Sequence, residues 1–521
     1  MYNLFMFSKK FLSILIISLV CGVIYVLPNI LFIHSTNFSG IPIMNTDAES
    51  LYLNKIQGAY MGCTFNCNPF IKEYGYNFPH FDSSISSMIL ALPGIILSID
   101  TLDLKILYEL VLPIIIFLLS FLLLDRITRN IHISILGSLF IVLGYNLLNF
   151  VDLLNIHDLL NLFRFVTDED QFLIFSRPVN PQFSSLYFFL YLNILYLAIK
   201  KNTRLWYIIL GIFFGLSFYV YFFTYAYLTV LNLVFIGIYF FRKEFDRLKG
   251  LVVSLSVGII LAIPVFYQIV NLMSHEYYLT IPHEYLRMSH IPDVSLFGIS
   301  IFIVCSTLLF LVYKKNKIIN DEFIFISGLI SACFLTRNEH VITGLIMQYG
   351  HFEMYVFSPV LVISIVYFIK EFLRDNIKSK ICIAIIYLLS ILCIFNSILI
   401  QINSYKNSLD YTIYVQKYIT ILDWIKSNSR DSVFMAPESL SQYIPLYSRN
   451  YVFWTLYAGQ WISKPERIHD VVSSNTQEKI LENLEKYDID YVVQDNRDDL
   501  LKNSNLKRVY SDNLYTIYRH N

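Results

Sequence analysis

The sequence predicts a polytopic α-helical membrane protein of about eleven spans plus an interfacial helix, followed by a small C-terminal α/β soluble domain. Three observations predict it. Of 521 residues, 56% are hydrophobic and only 15% charged, a balance foreign to soluble chains. The apolar residues fall in runs near the roughly 20 residues that a bilayer-crossing helix needs. Beyond Asn403 those runs stop, and short strand-like and helix-like segments alternate, the pattern of an α/β layer. The formal net charge is zero, so charge suggests no nucleic-acid partner.

The expected spans are Phe11–Ile33, Ile106–Leu124, Ile133–Val151, Phe183–Ile199, Leu205–Phe222, Thr224–Phe241, Leu251–Leu272, Ser295–Val312, Glu322–Leu335, Met354–Ile369 and Ile381–Ile400. The first is about twice as long as the apolar core of a signal peptide, and no A-x-A-like site follows, so it reads as a retained anchor. The segment Ser83–Ile99 is apolar but short and interrupted by Pro93-Gly94. Charge decides its place. If it does not cross, one side receives Lys9, Lys10, Arg126, Arg129, Lys200, Lys201, Arg204, Arg242, Lys243, Arg247, Lys249, Lys314, Lys315, Lys317, Lys370, Arg374, Lys378 and Lys380. The loops of the other side hold only Lys55, Lys72, Lys105, Arg164, Arg177, Arg287 and Arg337. That asymmetry is the positive-inside signal. The segment is therefore expected in the outer interface of the cytoplasmic membrane. The N-terminus is then cytoplasmic. Within the membrane domain 1–403, the long loops 35–82, 152–182, 274–293 and 336–351 lie outside, as does the domain 404–521.

Acids and cations gather in those outer loops. The first reads Asn45-Thr46-Asp47-Ala48-Glu49-Ser50, and later Asn77-Phe78-Pro79-His80-Phe81 ahead of the interfacial segment. An acid soon after the first span, then a proline-bearing stretch before an interfacial helix, resembles the first outer loop of the GT-C glycosyltransferases. The resemblance implies that Asp47 is a catalytic base, or the carboxylate that holds a divalent cation (Mg or Mn) if one takes part. Without it, an outer-loop acid is ordinarily a solvated side chain. Glu49 stays with that plain reading, or lines the cavity.

The second loop carries Asp168-Glu169-Asp170 and then Phe175-Ser176-Arg177-Pro178. Three adjacent acids are commonly a solvated run. The resemblance implies a second acid on this loop, with Asp168 and Asp170 both open. Arg177 has the planar fork that suits a phosphate, and its position also suits snorkelling to headgroups. Arg287, on the third loop, is the second candidate for donor phosphate, and Tyr277 a candidate for the cavity wall. The run Asn338-Glu339-His340-Val341-Ile342-Thr343-Gly344, followed by His351, resembles a segment beside the cavity in some bacterial GT-C-like proteins. His340 and His351 are accordingly cavity candidates; two histidines without a third ligand are ordinarily interfacial residues.

What the resemblance implies is transfer of a sugar from a polyprenyl-phosphate donor to a glycan, lipid or protein acceptor at the outer face, with inversion. Breaking the anomeric C–O bond asks for a carboxylate at the nucleophile. It also asks for positive charge at the leaving phosphate and carboxylates near the developing sugar cation. A membrane polysaccharide polymerase or ligase is the alternative enzyme. A transporter fits less well, because it would place charge deep inside spans, whereas Glu109 and Glu322 fall near span ends.

In the tail, Tyr411–Ser427 has helical spacing. Ser432–Met435 and Tyr491–Gln494 read as strands, Thr476–Tyr487 as an amphipathic helix, and Lys507–Tyr510 with Leu514–Tyr518 as a closing hairpin. No GxGxxG, P-loop or nucleophile elbow is present. The tail is expected to cap the cavity or hold the acceptor. Cys63 and Cys67, in the first loop, are spaced for a short disulfide in an oxidising compartment; two ligands alone make a poor zinc site.

Overall fold

A computed structural model describes residues 2–44, 49–62, 68–75, 85–144, 172–276, 287–292, 296–317, 319–346, 349–373, 379–456, 464–498, 500–502 and 504–520. The chain divides into two compact units. One comprises Met1–Ile30, Ile106–Ile263 and Arg287–Ser408; the other comprises Leu31–Lys105, Pro264–Leu286 and Leu409–Asn521.

The protein is an integral membrane protein: seven helical stretches are long and apolar enough to cross a bilayer. They are Phe11–Ile33, Thr101–Thr128, Pro178–Lys201, Phe222–Phe241, Phe245–Met273, Gly350–Phe372 and Lys380–Asn428. Each corresponds to an expected span. The other four expected spans also fall on helices, at Ile131–Leu143, Arg204–Ser217, Leu296–Asn316 and Asp321–Arg337. Seven crossings, rather than eleven, are thus supported by length and apolarity among the described residues.

In the first unit the helices meet as antiparallel neighbours in short-loop pairs, such as Ser184–Lys201 with Arg204–Ser217 and Leu296–Asn316 with Asp321–Arg337. Small residues set the closest approach. A Cβ on Gly211 would lie 2.6 Å from the Ser254 carbonyl, and one on Gly215 would lie 2.8 Å from the Gly258 carbonyl, the contact that brings membrane helices together without a hydrophobic driving force. The buried carboxylates Glu322 and Glu109 of this unit are hydrogen-bonded, as a low dielectric demands. Glu322 accepts from Tyr196 Oη at 3.0 Å and Lys200 Nζ at 3.2 Å. Glu109 lies deeper than expected, two turns into Thr101–Thr128. It is buried and accepts from the Asn29 amide at 2.7 Å.

The second unit is built on a five-stranded sheet of order β4-β3-β5-β7-β6, with β3 Val433–Met435, β4 Tyr451–Val452, β5 Tyr491–Asp495, β6 Lys507–Ser511 and β7 Tyr515–Arg519. The strands β4, β3 and β5 run parallel, while β5, β7 and β6 are antiparallel. The expected hairpin is therefore β6–β7. Its turn is tied by the Asp512 carboxylate, which accepts from the Leu514 and Tyr515 amides at 2.7 Å each. The expected helix forms as Gln477–Lys486, with the Thr476 hydroxyl capping the Lys479 amide. The strand Tyr451–Val452 and the helix Pro465–Ser473 are too short and polar to have stood out in the sequence.

The loop after the first helix folds with this sheet. Val452 donates its amide to the Phe70 carbonyl at 2.8 Å. Ile41, Leu51, Phe70 and Tyr74 share one core with Tyr418, Leu422, Phe434, Ile444, Tyr491 and Ile517. Arg467, almost wholly buried, pairs with Glu73 at 2.7 Å and lies over the Tyr74 ring at 5.3 Å. One further difference concerns the last span. Its apolarity ends near Asn403, but the helix continues unbroken over Lys380–Val415, because no glycine or proline interrupts it.

The first helices carry the labels α1 (Tyr2–Ile33), α2 (Glu49–Tyr60), α3 (Ile85–Leu97) and α4 (Thr101–Thr128). The thirteen residues of α3 reach about 20 Å, short of a bilayer core. It buries Ser87, Leu90, Ala91 and Gly94, packs on α2, and exposes Ile89, Leu92, Ile95, Ile96 and Leu97. Gly94 is required there, since a Cβ would collide with the Tyr60 hydroxyl.

Candidate functional site

Asp47 belongs to the segment 45–48, outside the described residues, but both of its flanks are fixed. Lys105, in the first turns of α4, is fully buried; its Nζ donates to the Ile43 carbonyl at 2.6 Å and lies 3.5 Å from Glu49 Oε1, itself fully buried. One ammonium thus holds the chain on either side of residues 45–48. Burying a charge pair is tolerated only when partners replace the lost water. The approach is pinned a second time: Gln416 Oε1 accepts from the Ser39 and Ile41 amides at 3.0 and 3.2 Å, and its Nε2 donates to the Ile41 carbonyl at 2.8 Å. The exit is pinned through α2. Ser50 Oγ donates to Gln442 Oε1 at 3.0 Å, and Asn54 Nδ2 to the Gln442 carbonyl at 3.0 Å. Glu49 opens α2, where a carboxylate also suits the positive end of the helix dipole.

A second arrangement, in the other unit, surrounds Arg177. The backbone leading to it is held by buried hydrogen bonds. The Leu173 amide donates to Gln401 Oε1 at 3.0 Å, Gln401 Nε2 donates to the Tyr25 carbonyl at 3.1 Å, and Tyr25 Oη donates to the Val142 carbonyl at 2.6 Å. Ser176 Oγ donates to the Leu173 carbonyl at 2.6 Å, and Gln182 Nε2 to the Phe175 carbonyl at 2.6 Å. Arg177 follows in an extended conformation just before the turn Pro178–Phe183. Its guanidinium donates to Tyr355 Oη at 2.9 Å. His351 lies beside it: its ring is 5.4 Å from that of Tyr355, and Nδ1 is 3.2 Å from Tyr221 Oη. Arg337 pairs with Glu353 in the adjoining turn. Two residues far apart in sequence, Arg177 and His351, are therefore brought to one half-buried cluster of cation, imidazole and phenols.

The remaining sequence-predicted residues fall elsewhere. Asp168, Asp170 and Tyr277 lie outside the described residues. Arg287 forms strand β1 (Arg287–Met288), whose partner β2 (Leu345–Ile346) sets Ile346 opposite it; only its backbone is described. His340 is buried and donates Nε2 to the Ile291 carbonyl at 2.7 Å, which ties the stretch after β1 to the turn His340–Thr343. Gly344 ends that turn at φ 78°, and a Cβ there would lie 3.0 Å from the His290 ring, a place where a side chain would be strained. Among the described residues, no group of three or more His, Cys, Asp or Glu side chains is placed to hold a metal ion.

Sequence reasoning missed Lys105, Gln416, Gln442 and Tyr355. Only Lys105 left a signal, as a lone cation opening an apolar run. The glutamines act through backbone groups distant in sequence, which no local pattern encodes.

The sequence matches no known family profile and no curated protein. Solved structures do match. The oligosaccharyltransferase of Archaeoglobus fulgidus, in its apo form, is similar over 93% of this chain and 69% of its own, with a TM-score of 0.52 at 13% identity. ArnT from Cupriavidus metallidurans, solved with undecaprenyl phosphate, is similar over 98% of this chain and 97% of its own, with a TM-score of 0.51 at 8% identity. The chain has the GT-C fold that its first outer loop led one to expect.

Proposed function

We propose that this GT-C-fold protein transfers a sugar from a polyprenyl-phosphate carrier to a glycan, lipid or protein acceptor at the outer face of the membrane, inverting the anomeric carbon. The observation that carries the reading is the fold itself. It extends over nearly the whole chain in two proteins, one named as an oligosaccharyltransferase and the other solved with undecaprenyl phosphate. The anchoring of both flanks of Asp47 supports it, because a general base must be held close to the proton it removes.

In this reading Asp47 accepts the proton of the acceptor nucleophile as its lone pair attacks the anomeric carbon. The C1–O bond to phosphate breaks, and its electron pair leaves with the phosphate. Arg177, oriented by Tyr355, meets that phosphate, with Arg287 as a second cation. Asp168 or Asp170 stabilises positive charge at the sugar carbon. Asp47 is the ligand if a divalent cation, Mg or Mn, takes part. The N-terminus is cytoplasmic, and residues 404–521 are extracytoplasmic.

The test is a transfer assay in membranes with labelled polyprenyl-phosphate sugars. Wild type should transfer at least one of them. Asp47→Asn should be slower by about 10² or more, the scale of a lost general base. Equal transfer by the two proteins would remove Asp47 from the reaction. Chelation with EDTA and restoration with Mg or Mn separates a base from a metal-bound carboxylate. Protease protection of the tail in inverted vesicles reports its side.

A further inference from the structure

The unit that contains the tail encloses a cavity of about 520 Å³, within the range of small-ligand sites. Its position along the chain is informative. Phe38 and Gly40 line it just after the first span ends, and Thr101 and Asp103 line it from the first turn of α4, itself a candidate span. A hollow lined where two spans end lies at the level of lipid headgroups. The helix α3 ends three residues before Asp100 and exposes Ile95, Ile96 and Leu97, so an apolar surface leads directly to a polar one.

The charges of the lining are not balanced. Asp100 and Asp103 come from the start of α4, whereas Lys426, Arg430 and Arg449 come from the tail. Lys426 is engaged, 3.2 Å from Asp100 and 5.2 Å from the Tyr447 ring. Among the described residues, Arg430 pairs only with its exposed neighbour Asp431, at 3.7 Å. Arg449 forms no ion pair among the described residues, and both arginines are solvent-exposed. Two guanidiniums of this kind match a phosphate ester. The hollow is larger than a phosphate alone, and Asp103 can accept from hydroxyl groups beyond it.

We propose that this cavity binds the phosphate-ester headgroup of a membrane glycerophospholipid, with Arg430 and Arg449 on the phosphate, Asp103 on headgroup hydroxyls, and the acyl chains along the exposed face of α3. The inference rests on α3 lying in the interface and is independent of sugar transfer, so either can fail without the other.

The test uses the full-length protein in mixed phosphatidylcholine–phosphatidylglycerol nanodiscs, extracted gently, with retained lipids counted by native mass spectrometry. Wild type should retain phosphatidylglycerol in preference to phosphatidylcholine. Arg430→Gln with Arg449→Asn should retain roughly thirtyfold less, on the scale of two interfacial cations; asparagine suits the left-handed backbone of Arg449, φ 55°. Lys507→Gln with Arg508→Gln, the same change of charge on strand β6, should retain as much as wild type. Arg430→Gln alone should give an intermediate loss and guards against misfolding of the double variant. Equal retention by the cavity variant and wild type overturns the proposal, as does an equal loss in the β6 control. Displacement of the lipid by dilute sn-glycerol 3-phosphate overturns the lipid source in favour of a soluble ester.

Discussion

Lys105 and Arg177 are both cations beside apolar helices, yet the fold uses them differently. Lys105 is sealed from water and committed to a carboxylate and a carbonyl. Arg177 is half-buried and donates to a neutral phenol. A lysine whose charge is matched inside the core fixes backbone. An arginine half-buried beside phenols, rather than sealed against a carboxylate, has the planar fork that suits an anion. The difference teaches that partner and burial, rather than sign of charge, separate a positioning cation from a binding one.

The comparison breaks most sharply at Lys105. Lys105→Met should leave Glu49 buried without its ammonium and destabilise the protein by about 3–5 kcal/mol, read as a lower thermal midpoint and poor folded yield in detergent. Glu49→Gln combined with Lys105→Met should recover most of that loss, since removing both charges leaves no unpaired ion. If the single variant is as stable as wild type, Lys105 does not anchor the flanks of Asp47.

The next effect is on rate rather than stability. Arg177→Ala should lower transfer by roughly 10–150-fold, the range of a lost charged hydrogen bond. It should lower stability by less than Lys105→Met does, because the guanidinium is only half-buried. Arg177→Lys should recover only part, because an ammonium lacks the planar fork. Tyr355→Phe should cost about threefold, mainly in the KM for the donor, as expected of a residue that orients another. A large stability loss in Arg177→Ala would make this cation structural too.

Legibility in the sequence followed the range of the interaction. The spans, the interfacial helix and the β6–β7 hairpin each rest on local periodicity or turn chemistry, and each has its helix or hairpin in the structure. The extension of the last helix to Val415 was hidden because hydropathy, not helix propensity, marked its expected end. The flanks of Asp47 were legible as a motif, but what holds them was not: Gln416 and Gln442 reach back more than 370 residues. Likewise, His351 and Arg177 stood out separately, while Tyr355, which brings them together, looked like one aromatic residue in an apolar span.

A largely buried carboxylate in the tail sharpens the contrast by adding pH. Asp470 accepts from Lys486 Nζ at 2.6 Å and Tyr487 Oη at 2.7 Å. The hydrogen bond from Lys486, chief among its causes, holds its carboxyl down at about 2. A depressed carboxylate adds stability that is complete above the unfolded value near 4 and is lost as pH falls towards 2. Tail unfolding, followed by Trp424 and Trp454 fluorescence in the full-length protein, should therefore steepen over that window. Asp470→Asn should flatten it and lower stability at neutral pH, because the contribution of the carboxylate is then absent at every pH. An unchanged acid limb would show that this ion pair is not linked to folding.

The smallest effect is expected where charge is paired but wet. Lys426 and Asp100 approach to 3.2 Å, as close as many buried pairs, but their side chains are 47% and 74% exposed. Water already solvates both, so the pair gains little Coulomb energy and must hold two side chains in place. Asp100→Asn should shift stability by less than about 0.5 kcal/mol, and raised salt should erase even that. Measured beside Lys105→Met under one condition, it isolates burial as the variable: the Asp100 pair has the shorter separation, 3.2 Å against 3.5 Å, yet should matter least. Comparable losses in the two variants would mean that separation, not exclusion of water, sets the strength of ion pairs in this unit.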